Sequence, residues 1–427
     1  MRVRDPIHGT IVVSDEEKAV IDSRFYQRLR HVRQLGFGEL AFPGATHTRH
    51  AHSLGAMHVA SMLFDAVSEH RPLPARFRCA VRLAVLCHDL GHMPFSHASE
   101  SIAPRRVLLE LPAWLDPPGS VSPDRQASHE DYTARILLDS SLTPVIRERF
   151  ERHGITPESV VSLIAGLPSP LGTEFVHEGV DYGPLLRAMV SGELDADRMD
   201  YLQRDSFYTG VSYGRYDLDW IVRNLVPAEK DGRAYLALSK AAAFAFEDFL
   251  LSRYHMFISV YLHHTSVNFD KMLRRYYEET PGEFEIPHDP EAFLLCDDVA
   301  LNHVLRGSRN RWAARIVTRR GFKLAAQFTE RDQGYDLVAM SEALTQAGVE
   351  SFSVESESAL SRYVNGVDDG SSPGLFILDM NNGRLTDVAK YMPLYRRYSG
   401  AVKLSRLYVR PDHQEAAEQV LRRLERG

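Results

Sequence analysis

The sequence predicts a mainly α fold, with a large helical core and a smaller C-terminal α+β domain. Through roughly the first 300 residues, apolar side chains recur at helical spacing, often after capping residues and before prolines. After about Gly307 the pattern becomes mixed, and residues 381–384 give a hairpin signal between two strand-like runs. We therefore expect one domain over residues 1–306 and a second over residues 307–427.

Composition limits the classes of function. Of 427 residues, 44% are hydrophobic and 25% are charged, which is ordinary for a globular protein. A formal net charge of -7 gives no general attraction to nucleic acid, so we do not expect that partner, although a local basic pocket is compatible with it. Three cysteines without metal-type spacing fit a reducing compartment, and no apolar run is long enough to span a membrane. We expect a cytoplasmic protein without a membrane partner.

The N-terminal elements follow from local signals. Residues 5–9 indicate a turn before a short strand at residues 10–13, and Ser14 with Glu17 forms a capping box for a first helix. A second helix ends near Gly36, and its basic face is typical of solvated charge. That face carries Arg24, Arg28, Arg30 and Arg33. A long helix follows residues 47–55 and ends before the prolines at positions 72 and 74.

The most informative stretch is residues 83–92, where an adjacent His88-Asp89 pair closes an apolar run. The preceding residues repeat at helical spacing, and His88 continues their face. They are Phe77, Ala80, Val81, Ala84 and Val85. Burying a charge without a partner is costly, and a metal ion would compensate for it. Taken alone, such a pair is also compatible with a hydrogen-bonded buried pair.

The remaining elements are predicted more briefly. Proline-rich residues 104–126 indicate a loop, after which Ser128 with Asp131 restarts a helix. We expect helices at 143–153 and 157–165, an irregular stretch at 167–183, and one long helix over 240–279. A strand at 404–409 precedes a final helix at 412–425, and we find no internal repeat.

Imidazole and carboxylate together suit a divalent cation. His52, His88 and Asp89 are candidate ligands, and the residues leave open which acid is the fourth. The alternatives are Asp195, Asp197 and Asp200. The donor set does not choose among Mg²⁺, Mn²⁺, Fe²⁺, Zn²⁺ and Co²⁺.

The order His, His-Asp, Asp resembles the HD phosphohydrolase superfamily. Within it, the chain resembles the deoxynucleoside triphosphate triphosphohydrolases, a group that includes bacterial dGTPases and the vertebrate sterile-alpha-motif-and-HD enzyme. The matching segments span roughly residues 1 to 300. They are 5–9 (DPIHG), 27–30 (QRLR), 34–36 (QLG), 42–44 (FPG), 47–55 (HTRHAHSLG), 87–97 (CHDLGHMPFSH), 129–130 (HE) and 197–205 (DRMDYLQRD). The resemblance implies that the helical core is an HD domain.

The resemblance also implies individual roles in metal binding and proton transfer. Asp197 becomes the fourth ligand, while Asp195 and Asp200 become bystanders, with Asp200 on its helix surface. His97 would act on the α-phosphate ester, and Glu100, three residues later, would orient it. His92 and His129 would contact phosphate, or would alternatively be hydrogen-bonded core histidines.

Further matches imply a substrate pocket. Arg49, Arg198 and Arg253 would hold the phosphate chain, while His264 stands where the family has a lysine. Other matching positions would contact the rest of the substrate, with polar bonds to the 3′-hydroxyl and no room at the 2′-carbon. These positions are Gln34, Leu35, Tyr201, Asp205 and Tyr261. Leu35 and Tyr261 are also compatible with core packing.

The function implied by the resemblance is metal-dependent hydrolysis of a deoxynucleoside triphosphate to a deoxynucleoside and inorganic tripolyphosphate. The alternatives are an HD phosphohydrolase acting on another nucleotide phosphoester, and a non-catalytic nucleotide sensor. Asp22, Gln27 and Arg30 match residues that contact a regulatory guanine nucleotide, which implies a nucleotide activator. They are equally compatible with ordinary packing of an amphipathic helix. A homo-oligomer is implied as well.

Overall fold

A computed structural model describes residues 1–116, 124–329, 331–332, 334–359, 374–398 and 401–424. Helices dominate it, which confirms the predicted class. The helices up to residue 317 are α1 (Asp15–Ile21), α2 (Arg24–Arg28), α3 (Arg49–His70), α4 (Ala75–Cys87), α5 (His129–Leu138), α6 (Thr143–Phe150), α7 (Pro157–Ile164), α8 (Gly183–Ser191), α9 (Ala196–Thr209), α10 (Leu218–Arg223), α11 (Ala243–Met256), α12 (His264–Glu279), α13 (Pro290–Phe293), α14 (Asp298–Gly307) and α15 (Arg311–Val317).

Helices α3 and α4 form the centre of the core. Helix α3 packs against both α4 and α9, so it is buried on most of its circumference. Its apolar residues Met57, Ala60, Leu63 and Val67 are completely buried, as the sequence pattern predicts. Helix α4 ends at Cys87, so the His-Asp pair lies in the following turn rather than on the helix itself.

The predicted caps and the N-terminal turn are confirmed. Both capping boxes form, one between Ser14 and Glu17 and one between Ser128 and Asp131. The Asp5 carboxylate accepts the N–H groups of two following residues and closes the turn at residues 5–9. This turn joins two antiparallel strands, β1 (Arg2–Asp5) and β2 (Gly9–Val12).

The single helix predicted for residues 240–279 was wrong. A π-helical turn at Phe257–Tyr261 ends α11, and the His263 side chain then caps α12 by accepting the N–H of Thr265. An added residue shifts the following side chains by about 100° around the helix axis, and the apolar spacing within each helix does not show where that shift occurs. The second helix is also shorter than predicted, because α2 ends at Arg28 and a 3₁₀ turn at Leu29–His31 follows.

Short strands within the core were missed. They are β3 (Val176–His177), β4 (Val180–Asp181), β5 (Leu225–Lys230) and β6 (Arg233–Ser239). Strands β5 and β6 form an antiparallel hairpin whose two loop residues, Asp231 and Gly232, both have positive φ. An Asp-Gly pair is a strong hairpin signal, so this hairpin was visible in the sequence.

The C-terminal part combines sheets with further helices, as predicted. Its strands are β7 (Lys323–Thr329), β8 (Ser351–Ala359), β9 (Phe376–Asp379), β10 (Arg384–Asp387) and β11 (Ala401–Val409). Its helices are α16 (Leu337–Gln346), α17 (Val388–Tyr391), α18 (Pro393–Tyr398) and α19 (Gln414–Leu424). Strands β7, β11 and β8 form one antiparallel sheet, in that order. The predicted hairpin at residues 381–384 joins β9 to β10.

Strand β9 also pairs in parallel with β6, which places β9 and β10 in a six-stranded sheet with β3 to β6. Residues of the C-terminal part, among them Ile377 and Tyr395, thus belong to the main hydrophobic core. The domain boundary at residues 306 and 307 stays a prediction.

Part of the predicted loop at 104–126 and the end of the predicted final helix lie outside the described residues. The described part of that loop contains short 3₁₀ turns at Arg106–Leu109 and Ala113–Leu115. Among the described helices, none is both long enough and apolar enough for a membrane crossing.

A glycine permits the close contact between the turn after α4 and helix α5. A Cβ at Gly91 would overlap the backbone of His129 and Thr133. We expect Gly91→Ala to lower the free energy of unfolding by about 1–3 kcal/mol, because neither backbone atom can move without shifting α5. Gly307→Ala is the matched control, since a Cβ there meets nothing within 4 Å. Urea unfolding of both variants checks this, and equal stabilities would contradict it.

Candidate functional site

The four predicted metal ligands converge from three segments of the chain. His52 lies on α3, His88 and Asp89 lie in the turn after α4, and Asp197 lies in the first turn of α9. The Nε2 atoms of His52 and His88 lie 2.9 and 3.4 Å from Asp197 Oδ1. The same two nitrogens lie 3.9 and 3.2 Å from the Asp89 carboxylate oxygens. These four side chains therefore form one compact donor cluster.

This cluster fits a divalent cation. The Nδ1 of His88 lies 2.6 Å from the carbonyl oxygen of Val85, while its buried Nε2 has no hydrogen-bond partner among the described residues. Burial alone would lower the pKa of His52, but hydrogen bonds with Asp197 and Asp200 raise it to about 10. A cation that binds His52 must therefore displace a proton. Two imidazoles with two carboxylates can serve several divalent metals, so the ion is not identified by its ligands.

Asp200 does not lie on the helix surface, contrary to the sequence-based expectation. It is completely buried. Its two oxygens take part in four hydrogen bonds, which compensate for the cost of burying the carboxylate. They lie 2.8 Å from His52 Nδ1 and 2.6 Å from His8 Nε2, and Arg204 donates to both at 2.8 and 2.9 Å. A Cβ at Gly55 would overlap the side chains of Asp200 and Arg204, so glycine at this position leaves room for their contact. Asp200 thus orients the His52 ring so that Nε2 faces the donor cluster.

Asp195 remains outside the donor cluster, as expected. It is the N-cap of α9 and accepts the backbone N–H of Arg198 at 2.8 Å.

The four predicted catalytic residues form a second cluster beside the first. They are His92, His97, Glu100 and His129. Glu100 Oε1 lies 3.1 Å from His97 Nδ1 and also 2.8 Å from His129 Nδ1, the second contact being one that the sequence did not indicate. The rings of His92 and His129 stack at 3.9 Å, and His92 Nε2 lies 3.2 Å from Asp89 Oδ1. The two clusters therefore share a boundary at Asp89.

The members of this second cluster differ in charge and access. Burial, helped by the nearby Arg49 guanidinium, lowers the pKa of His92 well below its usual range, so His92 is neutral. Burial alone would raise the pKa of Glu100, but hydrogen bonds with His129 and His97 outweigh it and keep the carboxylate ionised. The His97 side chain is 66% exposed, so it is the member with most access to a ligand.

The turn that carries His97 is strained. Phe95 and Ser96 are consecutive residues with φ of 53° and 56°, and neither is glycine. Residues in that region cost about 1–3 kcal/mol each and cluster at functional sites.

Arg28 is buried, so its assignment to a solvated basic face was wrong. Its guanidinium donates to the carbonyl oxygens of Leu90 and His92 at 3.3 and 2.7 Å, and also to that of Cys296. Its cation lies 4.1 Å from the centre of the Phe293 ring. Arg28 therefore fixes the backbone between the two clusters, through contacts to residues distant in sequence.

The three predicted arginines line the site, and each has an acidic neighbour. Arg49 Nη1 lies 2.7 Å from Asp89 Oδ2, and Arg253 Nη1 lies 3.4 Å from Glu193 Oε2. Arg198 is held by the Asp195 carboxylate and the carbonyl of Gly192. Burial lowers the pKa of Arg253, whose Nε is buried without a partner in the described part of the chain. The sequence did not indicate Glu193.

A polar wall, formed by Asp205, Tyr261 and Gln34, lines the same cavity as the arginines. Asp205 accepts a hydrogen bond from the Tyr261 hydroxyl at 2.9 Å, and its other oxygen lies 2.7 Å from His47 Nε2. His47 was not predicted, since 158 residues separate it from Asp205. The Gln34 amide oxygen is buried and has no partner within the described ranges.

One cavity of about 1120 Å³ connects these features. It is lined by every predicted catalytic and substrate-binding residue and by three of the four ligands, while His52 lies behind its wall. The volume is enough for a nucleotide. Asp22, Gln27 and Arg30 do not line it: Asp22 pairs with Lys18 at 2.6 Å, and Arg30 donates to Gln27 at 2.7 Å. Their regulatory role stays a prediction.

Comparison with known proteins agrees with this geometry. Residues 49–205 match the family model described as HD domain, and residues 216–354 match the HD associated region. An uncharacterized protein of Methanocaldococcus jannaschii is 30% identical over 321 residues, which cover 75% of this chain and 58% of that protein. The deoxynucleoside triphosphate triphosphohydrolase SAMHD1 of Homo sapiens is 29% identical over 311 residues, which cover 69% of this chain and 44% of that protein. This chain thus spans about half the length of the curated relatives it matches.

The whole fold also has a solved counterpart. The crystal structure of a hypothetical protein from Aquifex aeolicus is 26% identical, with a TM-score of 0.71, and covers 99% of both chains. The C-terminal part therefore belongs to the shared architecture as well as the helical core.

Metal binding should depend on Asp200 as well as on the ligands. We expect Asp200→Asn to weaken Mn²⁺ binding by about 10- to 100-fold, because His52 loses the carboxylate that orients it. Asp89→Ala, which removes a ligand, should weaken it further. Asp195→Asn is the matched control on the same helix, since asparagine also caps helices. Calorimetric titration of metal-free protein measures all three, and wild-type affinity in Asp200→Asn would contradict the orienting role.

Proposed function

The chain belongs to the HD-domain family, and on that premise we propose that it hydrolyses deoxynucleoside triphosphates to deoxynucleosides and inorganic tripolyphosphate. The family models, the relatives and the His/Asp cluster support the general class, a metal-dependent phosphohydrolase. The observation that carries the finer proposal is the cavity itself. It joins the metal-ligand cluster, three arginines and the polar wall at Asp205 in one space.

The arginines suit a highly charged ligand. A triphosphate carries about four negative charges, which require fixed cations. Arg49, Arg198 and Arg253 line the cavity and are held by Asp89, Asp195 and Glu193. Because these contacts fix the guanidiniums before a ligand arrives, binding requires little rearrangement. The same acids partly neutralise the arginines. A ligand with fewer negative charges than a triphosphate therefore competes less well with these acids for the guanidinium groups.

The reaction proposed at the α-phosphorus uses both clusters. A divalent cation held by His52, His88, Asp89 and Asp197 would polarise a phosphate oxygen and a water molecule. His97 holds or donates the proton at the 5′-oxygen, because Glu100 engages its Nδ1 and leaves Nε2 for the ester. His92 is neutral, so its ring can lie against phosphate oxygens without adding a second cation beside Arg49, and His129 stacks on it.

Product analysis tests the reaction. With Mg²⁺ or Mn²⁺, we expect equal amounts of deoxynucleoside and tripolyphosphate from a deoxynucleoside triphosphate. His97→Ala should lower kcat by about 10²- to 10⁴-fold, the usual contribution of a general acid or base. Anion-exchange chromatography separates the products, and metal-free protein is the control.

The other outcomes identify the alternatives. Release of single phosphates alone would contradict the proposed bond cleavage and favour another phosphoester substrate. Tight nucleotide binding with no product over hours would favour a nucleotide sensor.

The polar wall predicts selection of the sugar. We propose that Gln34 and Asp205 bond the 3′-hydroxyl, while Leu35 and the Tyr261 ring crowd the 2′-carbon. A ribose would bury a 2′-hydroxyl without a partner, which costs about 1–3 kcal/mol. We therefore expect kcat/KM for dGTP to exceed that for GTP by at least about tenfold. Tyr261→Ala should narrow this ratio, and equal kcat/KM values for the two nucleotides in the wild type would show that the wall does not select the sugar.

A further inference from the structure

A carboxylate outside the cavity holds the strained turn that carries His97. Asp298 is the first residue of α14 and is only 4% exposed. Its Oδ1 accepts the N–H of Phe95 at 2.7 Å, and its Oδ2 accepts the N–H of Arg33 at 3.0 Å. One side chain thus ties together two segments that are 62 positions apart in the sequence, each through a backbone donor.

The hydrogen bond from Phe95 to Asp298 stabilises a strained backbone conformation. Phe95 and Ser96 both have positive φ, which non-glycine residues adopt only where the surroundings fix them. The Phe95 ring stacks on Phe37 with centroids 4.3 Å apart, which holds the side chain, and Asp298 holds the backbone. Without the carboxylate, the Phe95 N–H would be left buried without its acceptor.

The contacts of this turn lead directly into the site. The Ser96 hydroxyl donates to the Arg33 carbonyl oxygen at 2.9 Å and accepts from Arg49 Nε at 2.9 Å. Arg49 in turn lies 2.7 Å from Asp89. His97 directly follows Ser96 in the chain. A shift of the turn would therefore move His97 and Arg49 together.

We propose that Asp298 is a positioning residue for the reaction, because it fixes the turn at Phe95 and Ser96 and thereby the place of His97. The role of His97 rests on the proposed function, whereas the hydrogen bonds by which Asp298 fixes the turn do not depend on it. A carboxylate is needed because it offers one acceptor to each of two N–H groups. An asparagine would offer one acceptor and would turn its own N–H₂ towards the other donor.

The surroundings of Asp298 agree with a positioning role. Burial raises its pKa to about 6, although the N–H groups of Phe95 and Arg33 and the charges of Arg33 and Arg28 oppose that rise. At neutral pH the carboxylate is therefore mainly ionised, and each of its two oxygens can accept one N–H.

The neighbouring residue provides a matched control. Asp297 is the N-cap of α14 and accepts the N–H of Ala300 at 2.9 Å. Asp297→Asn makes the same chemical change one position away, and asparagine still caps the helix. The comparison of Asp298→Asn with Asp297→Asn therefore separates the turn from the helix terminus.

The experiment measures the turn and the reaction separately in the full-length, metal-loaded protein. Hydrogen exchange should show the Phe95 amide exchanging at least about tenfold faster in Asp298→Asn, and unchanged in Asp297→Asn. In Asp298→Asn, kcat for dGTP should fall at least about tenfold with a smaller change in KM. Modification of His97 by diethyl pyrocarbonate, followed by mass spectrometry, reports its surroundings without any substrate, and its rate should change in Asp298→Asn alone.

The following results would overturn or separately test the positioning role of Asp298. Identical exchange and identical His97 reactivity in the two variants would overturn the proposal, and so would faster exchange with unchanged His97 reactivity. If the wild type hydrolyses no nucleotide, the proposed function fails, and the exchange and modification rates still test the hold on the turn. Should Asp298→Asn fail to fold, the wild type remains informative, because fast exchange of its Phe95 amide would also overturn the proposal.

Discussion

The carboxylate of Asp200 is the point on which the site depends. It joins α9 to α3 through His52, and to the N-terminal turn through His8, while Arg204 neutralises it and pairs also with Asp5 at 2.9 Å. A buried charge without its partners costs several kcal/mol, so the members of this network constrain one another. The ring of His52, a candidate ligand, is oriented by this buried network, so its orientation is set by folding.

Asp89, which lines the cavity, is also a buried charge that several partners hold in place. Asp89 faces the His-rich side of the site and also pairs with Arg49. It therefore belongs to the metal cluster, to the arginine set and to the histidine cluster at once. Burial alone would raise the pKa of Asp89, but Arg49, His88 and His92 hold it well below its usual range. An anionic Asp89 thus lies in the donor cluster and also holds Arg49, so the donor cluster and the arginines are linked through one residue.

The sequence was sufficient to predict a feature where its signal is local or where its residues belong to a motif that resembles the HD phosphohydrolases. Capping boxes and the apolar face of α4 were predicted, and the four candidate ligands named from the sequence lie close together, while their role as ligands stays a prediction. The missed residues have their partners far away in the chain: 148 residues separate Asp200 from His52, 158 separate Asp205 from His47, and 203 separate Asp298 from Phe95. Local sequence compares positions three and four apart and does not show such distant partners, so the expected surface positions of Asp200 and Arg28 did not account for the tertiary packing that covers them. The hairpin at Asp231 was visible locally and was overlooked.

The break between α11 and α12 links the C-terminal part to the site. The π-helical turn ends at Tyr261, whose hydroxyl lies 2.9 Å from the Asp205 carboxylate. Val402 and Leu404 of β11 pack against Phe257 at the start of the turn and Leu262 directly after it, and the Tyr408 hydroxyl donates to the carbonyl of His264 at 2.9 Å. Irregular helical turns expose backbone groups that need support. The C-terminal sheet supplies part of that support, so both parts of the chain contribute to the polar wall at Tyr261.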